Sequence, residues 1–105
     1  MDKIRTVVVE DEPVSRDRLL ALLGEEPDIE VVQACGDGRE AVAAIAATTP
    51  DLVFLDIQLP EMDGLALARA LDPERRPAVV FVTAHDGYAL PAFDIHALDY
   101  LLKPF

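Results

Sequence analysis

The chain has 105 residues, with 20 acidic and 9 basic side chains and a formal net charge of −11. This charge makes the chain alone a poor ligand for nucleic acid, whose phosphates would repel it, and favours cations and basic partner surfaces. The single cysteine, Cys35, excludes an internal disulfide, and no apolar run is long enough to cross a bilayer, so we expect one cytoplasmic domain without membrane contact.

Apolar stretches alternate with amphipathic ones from end to end, which predicts strands alternating with helices. In chain order we predict a strand at 4–9, a helix at 13–23, a strand at 29–35, a helix at 38–47, a strand at 52–55, a helix at 64–71, a strand at 78–82, a short helix at 86–93 and a strand at 98–102. This alternation indicates βαβ units, and therefore an α/β fold whose parallel sheet is covered on both faces.

Residues near the helix ends support these boundaries. Pro13 suits a first helical turn, Gly24 a helix stop and Asp63 an N-cap. The apolar residues that we expect to face the core are Leu19, Leu20, Leu22 and Leu23 in the first helix, and Val42 and Ile45 in the second. We expect Cys35 to be a small apolar side chain that ends a strand.

Residues that could bind a ligand follow four of the predicted strands. They are Glu10 and Asp11 after the first strand, Asp56 after the third, Thr83 and Ala84 after the fourth, and Lys103 after the fifth. The carboxyl ends of parallel strands lie along one edge of a sheet, where α/β folds bind their ligands. Each residue alone has an ordinary explanation as a cap, a turn former or a solvated charge, but their joint placement predicts one pocket.

The chemistry that such a pocket favours is phosphoryl transfer to Asp56. A carboxylate attacks a phosphoryl group to form an acyl phosphate, and a hard cation must offset the repulsion between the two anionic groups. We expect Mg²⁺ as this cation. Asp11 and Asp56 would be direct ligands, Glu10 would act through water, and the main-chain carbonyl of Gln58 would be a neutral ligand.

The remaining strand-end residues suit the phosphoryl oxygens. The Lys103 ammonium would neutralise one oxygen as a point charge. The Thr83 hydroxyl and the Ala84 backbone N–H would donate hydrogen bonds to the others.

Four motifs give the chain a resemblance to the receiver domain of two-component response regulators. They are residues 9–13 (VEDEP), 55–64 (LDIQLPEMDG), 82–85 (VTAH) and 102–105 (LKPF). The resemblance spans the whole chain. It implies a flavodoxin-like, doubly wound sheet of five strands in the order 2-1-3-4-5. It also implies Asp56 as phosphoacceptor, Mg²⁺ as cofactor and a sensor histidine kinase as phosphodonor.

The resemblance assigns further roles. Thr83 and Tyr100 match the family's switch residues, while Gln58 and His85 match positions that flank the hydrolytic water and tune the lifetime of the phosphoryl group. Residues 84–105 are similar to receivers that precede LytTR-type DNA-binding domains. This similarity implies a transcriptional role in which only an output domain contacts DNA.

The chain departs from the family pattern at three points, one of which is Pro91 within the short helix predicted at 86–93. Glu10 stands where aspartate is commonest. We expect residues 1–105 to form a receiver truncated before its last helix, without an output domain. We also expect the sheet face left uncovered to expose an apolar patch and to favour a C2 homodimer.

Three alternatives compete with a phosphorylation-switched signalling domain that is not an enzyme. The first is a stand-alone phosphorelay or adaptor receiver. The second is a Mg²⁺-dependent phosphatase that forms an aspartyl phosphate, but such enzymes usually offer a second aspartate where this chain has Gln58. The third is a purely structural module, which would be expected to have lost Asp56, Thr83 or Lys103.

Overall fold

The computed structural model describes residues 2–60, 62–71, 77–84 and 99–103, and of residues 99, 100 and 102 it describes the backbone only. Within these ranges, strands and helices alternate as the sequence predicts. The elements are β1 (Ile4–Val9), α1 (Pro13–Gly24), β2 (Ile29–Cys35), α2 (Gly38–Thr48), β3 (Leu52–Asp56), α3 (Gly64–Ala70), β4 (Ala78–Thr83) and β5 (Asp99–Leu102).

The predicted boundaries are correct to within one residue. β1 and β2 have the predicted bounds, whereas α1, α2, β3 and β4 each extend one residue further and α3 ends one residue earlier. Pro13 occupies the first turn of α1, and Asp63 caps α3 as expected, accepting a hydrogen bond from the Leu65 N–H at 2.8 Å. The predicted helix at 86–93 and the predicted strand residue Leu98 lie outside the described residues.

The five described strands form one parallel sheet in the order β2-β1-β3-β4-β5. This is the flavodoxin-like order that the family resemblance implies, and the predicted fold class is confirmed. β3 lies at the centre of the sheet between β1 and β4, so its last residue, Asp56, comes at the middle of the carboxyl edge.

Successive strand residues face opposite sides of the sheet, which gives the protein two apolar cores. The core on the side of α2 and α3, here the α2/α3-side core, includes Val7, Val9, Val53, Leu55 and Phe81 of the strands and Ala41, Ala44, Ile45, Leu65, Leu67 and Ala68 of the helices. The core on the side of α1, here the α1-side core, comprises Val8, Leu19, Leu23, Leu52, Phe54, Val80 and Val82.

For two residues, the prediction that their side chains face the core is wrong. Val42 is 49% exposed and Leu22 is 46% exposed. In α2 the buried stripe runs through Ala41, Ala44 and Ile45, and Val42 lies about 100° around the helix from Ala41. The prediction chose the larger apolar side chain, whereas it is the small alanines of α2, together with Ile45, that pack against the sheet.

The sheet face that lies under α1 is better covered than the sequence suggested. The relative exposures of Leu52, Phe54, Val80 and Val82 are 9%, 8%, 6% and 1%. Among the described residues, the expected apolar patch on this face is therefore not found. No helix within the described ranges combines the length and the hydropathy needed to cross a membrane.

Cys35 is a packing residue, as predicted. It ends β2, is fully buried and belongs to the α2/α3-side core. Burial, with smaller contributions from the negative charges of Glu40 and Asp37, raises the pKa of its thiol to about 11. The thiol is therefore protonated at neutral pH and lacks the thiolate that reactive cysteines need.

We predict that Gly64→Ala destabilises the protein by about 1–3 kcal/mol. A Cβ at position 64 would overlap the carbonyl oxygen of Asp56 and lie 2.8 Å from the Ile57 Cα. These are backbone atoms, so relief requires moving the strand end that carries Asp56. Urea denaturation would measure the loss.

The matched control is Gly24→Ala. A Cβ at position 24, the last residue of α1, has no atom within 4 Å. Alanine is favoured over glycine in helices by about 0.5–1 kcal/mol, so this variant should be neutral or more stable. Equal stability of the Gly64→Ala protein and the wild type would contradict the close approach of α3 to β3.

Candidate functional site

Three charged side chains meet at the carboxyl edge of the sheet because they occupy equivalent positions at the ends of three strands. Glu10 follows β1, Asp56 ends β3 and Lys103 follows β5. Each lies two positions beyond an apolar residue that belongs to, or packs against, the α1-side core. Those residues are Val8, Phe54 and Leu101. The two-residue repeat of a strand therefore directs all three charged side chains to the same side of the sheet.

Lys103 is shared between two buried carboxylates. Its Nζ lies 2.8 Å from Glu10 Oε1 and 3.3 Å from Asp56 Oδ2. Glu10 is 1% exposed and Asp56 is 3% exposed, while the Lys103 side chain keeps 13% of its surface accessible. A buried charge is tolerated only when it is paired, so this ammonium is what permits two carboxylates at the edge of the core.

The loop after β3 fixes the other oxygen of Asp56. The Gln58 N–H donates to Asp56 Oδ1 at 2.9 Å. The loop closes on itself, since Gln58 forms an antiparallel bridge with Asp63 and the Gly64 N–H donates to the Ile57 carbonyl at 2.7 Å. This turn leaves Oδ2 as the oxygen that faces Lys103.

Glu10 is held by its own loop as well as by Lys103. Its Oε1 accepts a second hydrogen bond from the Glu12 N–H at 3.1 Å, and its main-chain carbonyl accepts from Arg16 Nη1 at 3.1 Å. Its other carboxylate oxygen, Oε2, is buried and has no hydrogen-bond partner among the described residues. An ionised carboxylate oxygen in this condition is costly, which marks it as a position for a ligand.

The surroundings of Asp56 disfavour the ionised form of its carboxyl group. Burial raises the pKa of its carboxyl to about 7, and the Glu10 charge and a side-chain hydrogen bond with Asp11 add to the rise. The Gln58 hydrogen bond and the Lys103 charge oppose it without cancelling it. For Lys103, burial lowers the pKa of the ammonium, but the hydrogen bond to Glu10 and the Asp56 charge outweigh burial and raise it.

Oxygen donors for a hard cation lie together at this edge. One carboxylate oxygen from each of Glu10, Asp11 and Asp56 lies within 4.8 Å of the others. Hard divalent cations take oxygen ligands of this kind, and the orphaned Glu10 Oε2 and the raised pKa of Asp56 both indicate a pocket that lacks positive charge. The residues therefore fit a cation such as Mg²⁺.

The structure brings together four of the predicted site residues, namely Glu10, Asp11, Asp56 and Lys103. Thr83 ends β4 and is buried, and its carbonyl accepts a hydrogen bond from the Lys103 N–H at 2.7 Å. Ala84 follows it and is exposed. The phosphoryl contacts assigned to the Thr83 hydroxyl and the Ala84 N–H stay predictions.

The roles drawn from the family resemblance are not tested by this geometry. Tyr100 pairs with Phe81 across β5 and β4, but its side chain lies outside the described part of the chain, as does all of His85. The Gln58 side chain is exposed, and the use of its main-chain carbonyl as a metal ligand stays a prediction.

Sequence reasoning missed two contacts that build the site. It did not assign Arg16, whose guanidinium holds the Glu10 carbonyl from the first turn of α1. It also did not pair Lys103 with Glu10. The first contact had a signal, because a basic residue three positions after Pro13 lies one helical turn from the start of α1 and thus near the end of β1.

Comparison with known proteins identifies relatives of this arrangement. Residues 6–105 match the response regulator receiver domain family. The transcriptional regulatory protein BtsR of Escherichia coli (strain K12) is 48% identical over 101 residues, which are 96% of this chain and 42% of that protein. The chain therefore spans less than half the length of this curated relative.

Solved structures share the fold. The signal receiver domain of the putative response regulator NarL from Mycobacterium tuberculosis is 32% identical, with a TM-score of 0.89 over 100% of this chain and 87% of that one. The response regulatory domain of protein mrkE from Klebsiella pneumoniae is 33% identical, with a TM-score of 0.86 over 96% of this chain and 84% of that one.

We predict that Asp56→Asn stabilises the metal-free protein, and that the gain grows as pH rises from 5 to 8. The folded pKa of Asp56, about 7, lies above its ordinary value of 3.8, so the folded state binds more protons than the unfolded state between these values. Wild-type stability contributed by this group is present at low pH and is lost as pH rises through 7.

The measurement is a pair of thermal melts at each pH in buffer with a chelator. The difference in melting temperature should be on the order of 5 °C at pH 8 and should shrink toward pH 5. Asp17→Asn, at an exposed position of α1, is the charge-matched control and should show no such pH dependence. A gain for Asp56→Asn that did not change with pH would contradict the raised pKa.

Proposed function

The chain belongs to the response regulator receiver domain family, and on that premise we propose that it is switched by phosphorylation of Asp56. The observation that carries the proposal is the state of this carboxylate. Asp56 is buried at the end of the central strand, with Oδ1 held by the Gln58 N–H and Oδ2 facing an ammonium.

The phosphoryl group would come from a phosphohistidine of a sensor histidine kinase. Asp56 Oδ2 attacks phosphorus, the bond between phosphorus and the imidazole nitrogen breaks, and the imidazole takes up a proton from solvent. The Gln58 N–H keeps Oδ1 in place, so only one oxygen is presented to the donor. Lys103 Nζ, 3.3 Å from Oδ2, is within reach of a phosphoryl oxygen attached there.

The cation in this proposal is Mg²⁺. Glu10, Asp11 and Asp56 would hold it, with the Gln58 carbonyl as a further ligand. When bound, Mg²⁺ would offset the repulsion between these carboxylates and the incoming phosphoryl group. The raised pKa of Asp56 supports a cation here, and so does the Glu10 Oε2, which has no partner in the described part of the chain.

The response to phosphorylation would begin with Lys103. An ammonium that serves two carboxylates has to change partners when a dianionic phosphoryl group appears on Asp56, which biases the end of β5 toward a second state. Thr83 and Ala84 would donate to the phosphoryl oxygens, and Tyr100 would follow Thr83. Gln58 and His85 would set the lifetime of the phosphoryl group.

We propose transcriptional control as the output, because a relative matched over 96% of this chain is named a transcriptional regulatory protein and is more than twice as long. DNA would be contacted only by an output domain, for which the LytTR type is our proposal. We also propose a cytoplasmic site of action and association into a homodimer. A stand-alone adaptor remains the alternative, while the amide at Gln58 disfavours a phosphatase.

We predict that acetyl phosphate with Mg²⁺ phosphorylates the protein once, on Asp56. Intact mass should show one phosphoryl adduct for the wild type and none for Asp56→Asn. A chelator should lower the rate by at least tenfold, because the three clustered carboxylates repel the donor without a cation. The Asp17→Asn control should behave as the wild type. A full adduct on Asp56→Asn would refute the assignment.

We also predict that Lys103→Ala separates phosphorylation from the response. The variant should still accept a phosphoryl group, but the amide NMR shifts that phosphorylation causes in β4 and β5 should fall at least twofold, because the charge that connects Asp56 to β5 is gone. Shifts near Asp56 should persist. If β5 responded as in the wild type, Lys103 would have no coupling role.

A further inference from the structure

The main-chain carbonyl of Glu10 lies at the point where β1 loses its neighbour β2. The two strands pair as far as Val9 and Cys35, and the Glu10 N–H still donates to the Cys35 carbonyl at 2.9 Å. If the parallel ladder continued, the Glu10 carbonyl would accept from the N–H of residue 37. Asp37 is instead the N-cap of α2, and no main-chain N–H in the described part of the chain donates to this carbonyl.

A side chain takes the place of the missing main-chain donor. Arg16, half-buried near the start of α1, donates from Nη1 to the Glu10 carbonyl at 3.1 Å. The guanidinium also lies against Gly36, because a Cβ at position 36 would be 3.3 Å from Arg16 Nη1. That distance is shorter than an ordinary van der Waals contact, so the glycine leaves room for the guanidinium beside the end of β2.

The peptide group that accepts this hydrogen bond joins two residues of the site. On its amino side is Glu10, whose side chain is held by Lys103 and by the Glu12 N–H. On its carboxyl side is Asp11, whose side chain is hydrogen-bonded to Asp56. The peptide bond is planar, so a donor that fixes the direction of the carbonyl also fixes where the Cα of Asp11 lies.

We propose that Arg16 is a positioning residue whose guanidinium completes the ladder at the end of β1 and thereby keeps Asp11 beside the phosphoacceptor. The guanidinium lies on the β2 side of β1, whereas Asp56 ends β3 on the other side. Arg16 therefore acts through the Glu10 carbonyl and not by contact with a phosphoryl group. The expected effect on phosphorylation rests on the proposed function, whereas the hydrogen bond and the placement of Asp11 are measured without it.

The test compares Arg16→Ala with Arg39→Ala, which removes an exposed arginine of α2. With acetyl phosphate and Mg²⁺, Arg16→Ala should accept a phosphoryl group about tenfold more slowly than the wild type, because small displacements of groups in a reacting site cost rate steeply. Arg39→Ala should keep the wild-type rate. A wild-type rate for Arg16→Ala would overturn the proposal.

Chemical rescue separates positioning from a merely structural role. Truncation to alanine leaves space beside Gly36, where methylguanidinium at tens of millimolar can donate to the Glu10 carbonyl. This cation should restore at least half of the lost rate in Arg16→Ala and leave Arg39→Ala unchanged. Tetramethylammonium at the same concentration has no N–H to donate and should not restore the rate. Absence of rescue, or equal rescue by the two cations, would show that Arg16 acts through general stability or charge and would refute the positioning role.

NMR of metal-free, ¹³C- and ¹⁵N-labelled protein tests the contact and its consequence without a phosphodonor. In Arg16→Ala the main-chain carbonyl resonance of Glu10 should shift upfield, because the carbonyl loses a donor, and it should return toward the wild-type value with methylguanidinium. The side-chain carboxyl resonance of Asp11 should shift in the same variant, since its hydrogen bond to Asp56 depends on where its Cα lies. The Val8 carbonyl, in the middle of β1, is the internal control and should not move. A wild-type shift for either the Glu10 carbonyl or the Asp11 carboxyl would contradict the proposal.

Arg16→Lys covers the case in which Arg16→Ala does not fold. Lysine keeps the charge and most of the aliphatic stem, but its nitrogen falls about 1.5 Å short of Nη1, which takes the 3.1 Å contact beyond hydrogen-bond distance. The rate should fall about fivefold and the Glu10 carbonyl should shift upfield although the charge is unchanged. Wild-type values of both would show that a positive charge on α1 suffices and would overturn the proposal. If the wild type itself accepted no phosphoryl group, the proposed function would fail, and the NMR shifts would still decide whether Arg16 positions Asp11.

Discussion

The structure of the site depends on one ammonium group that is shared by two buried carboxylates. Lys103 pairs with Asp56, 47 positions away in sequence, and with Glu10, 93 positions away. Each carboxylate is almost completely removed from water, so without the lysine the carboxyl edge of the sheet would hold uncompensated negative charge. The pocket therefore forms only when β1, β3 and β5 are all in register, and the sheet order is what places those three strand ends within reach of one side chain.

This single positive charge does not neutralise the pocket. The pKa of Asp56 rises to about 7 even though Lys103 lies beside it, since burial and the Glu10 charge outweigh the ammonium. The folded protein thus contains a cluster of carboxylates that repel one another, in a chain whose net charge is already −11. Such a cluster favours the binding of cations. Any group that supplies positive charge binds the folded state and lowers its free energy.

Much of this could be predicted from sequence because it follows from the order of apolar and polar segments. The alternation of apolar and amphipathic stretches predicted the strands and the parallel sheet, and the positions of Glu10, Asp11, Asp56 and Lys103 directly after apolar runs predicted that they meet. Sequence could not rank neighbours on a helix face, and so Val42 was placed in the core that Ala41 occupies. It also could not predict which carboxylate Lys103 approaches more closely, because that depends on side-chain reach across three strand spacings and not on any local pattern.

The backbone around Lys103 limits how a signal can leave the site. The Lys103 N–H donates to the Thr83 carbonyl at 2.7 Å, and β5 pairs with β4 from Val80 through Thr83. The main chain of Lys103 is therefore tied to the sheet, whereas the described contacts of its side chain are ion pairs that can be exchanged. A change at Asp56 would move the ammonium first and the strand last. Since Thr83 is bonded to the same backbone and is itself buried at the end of β4, it is the next residue on which such a change would act.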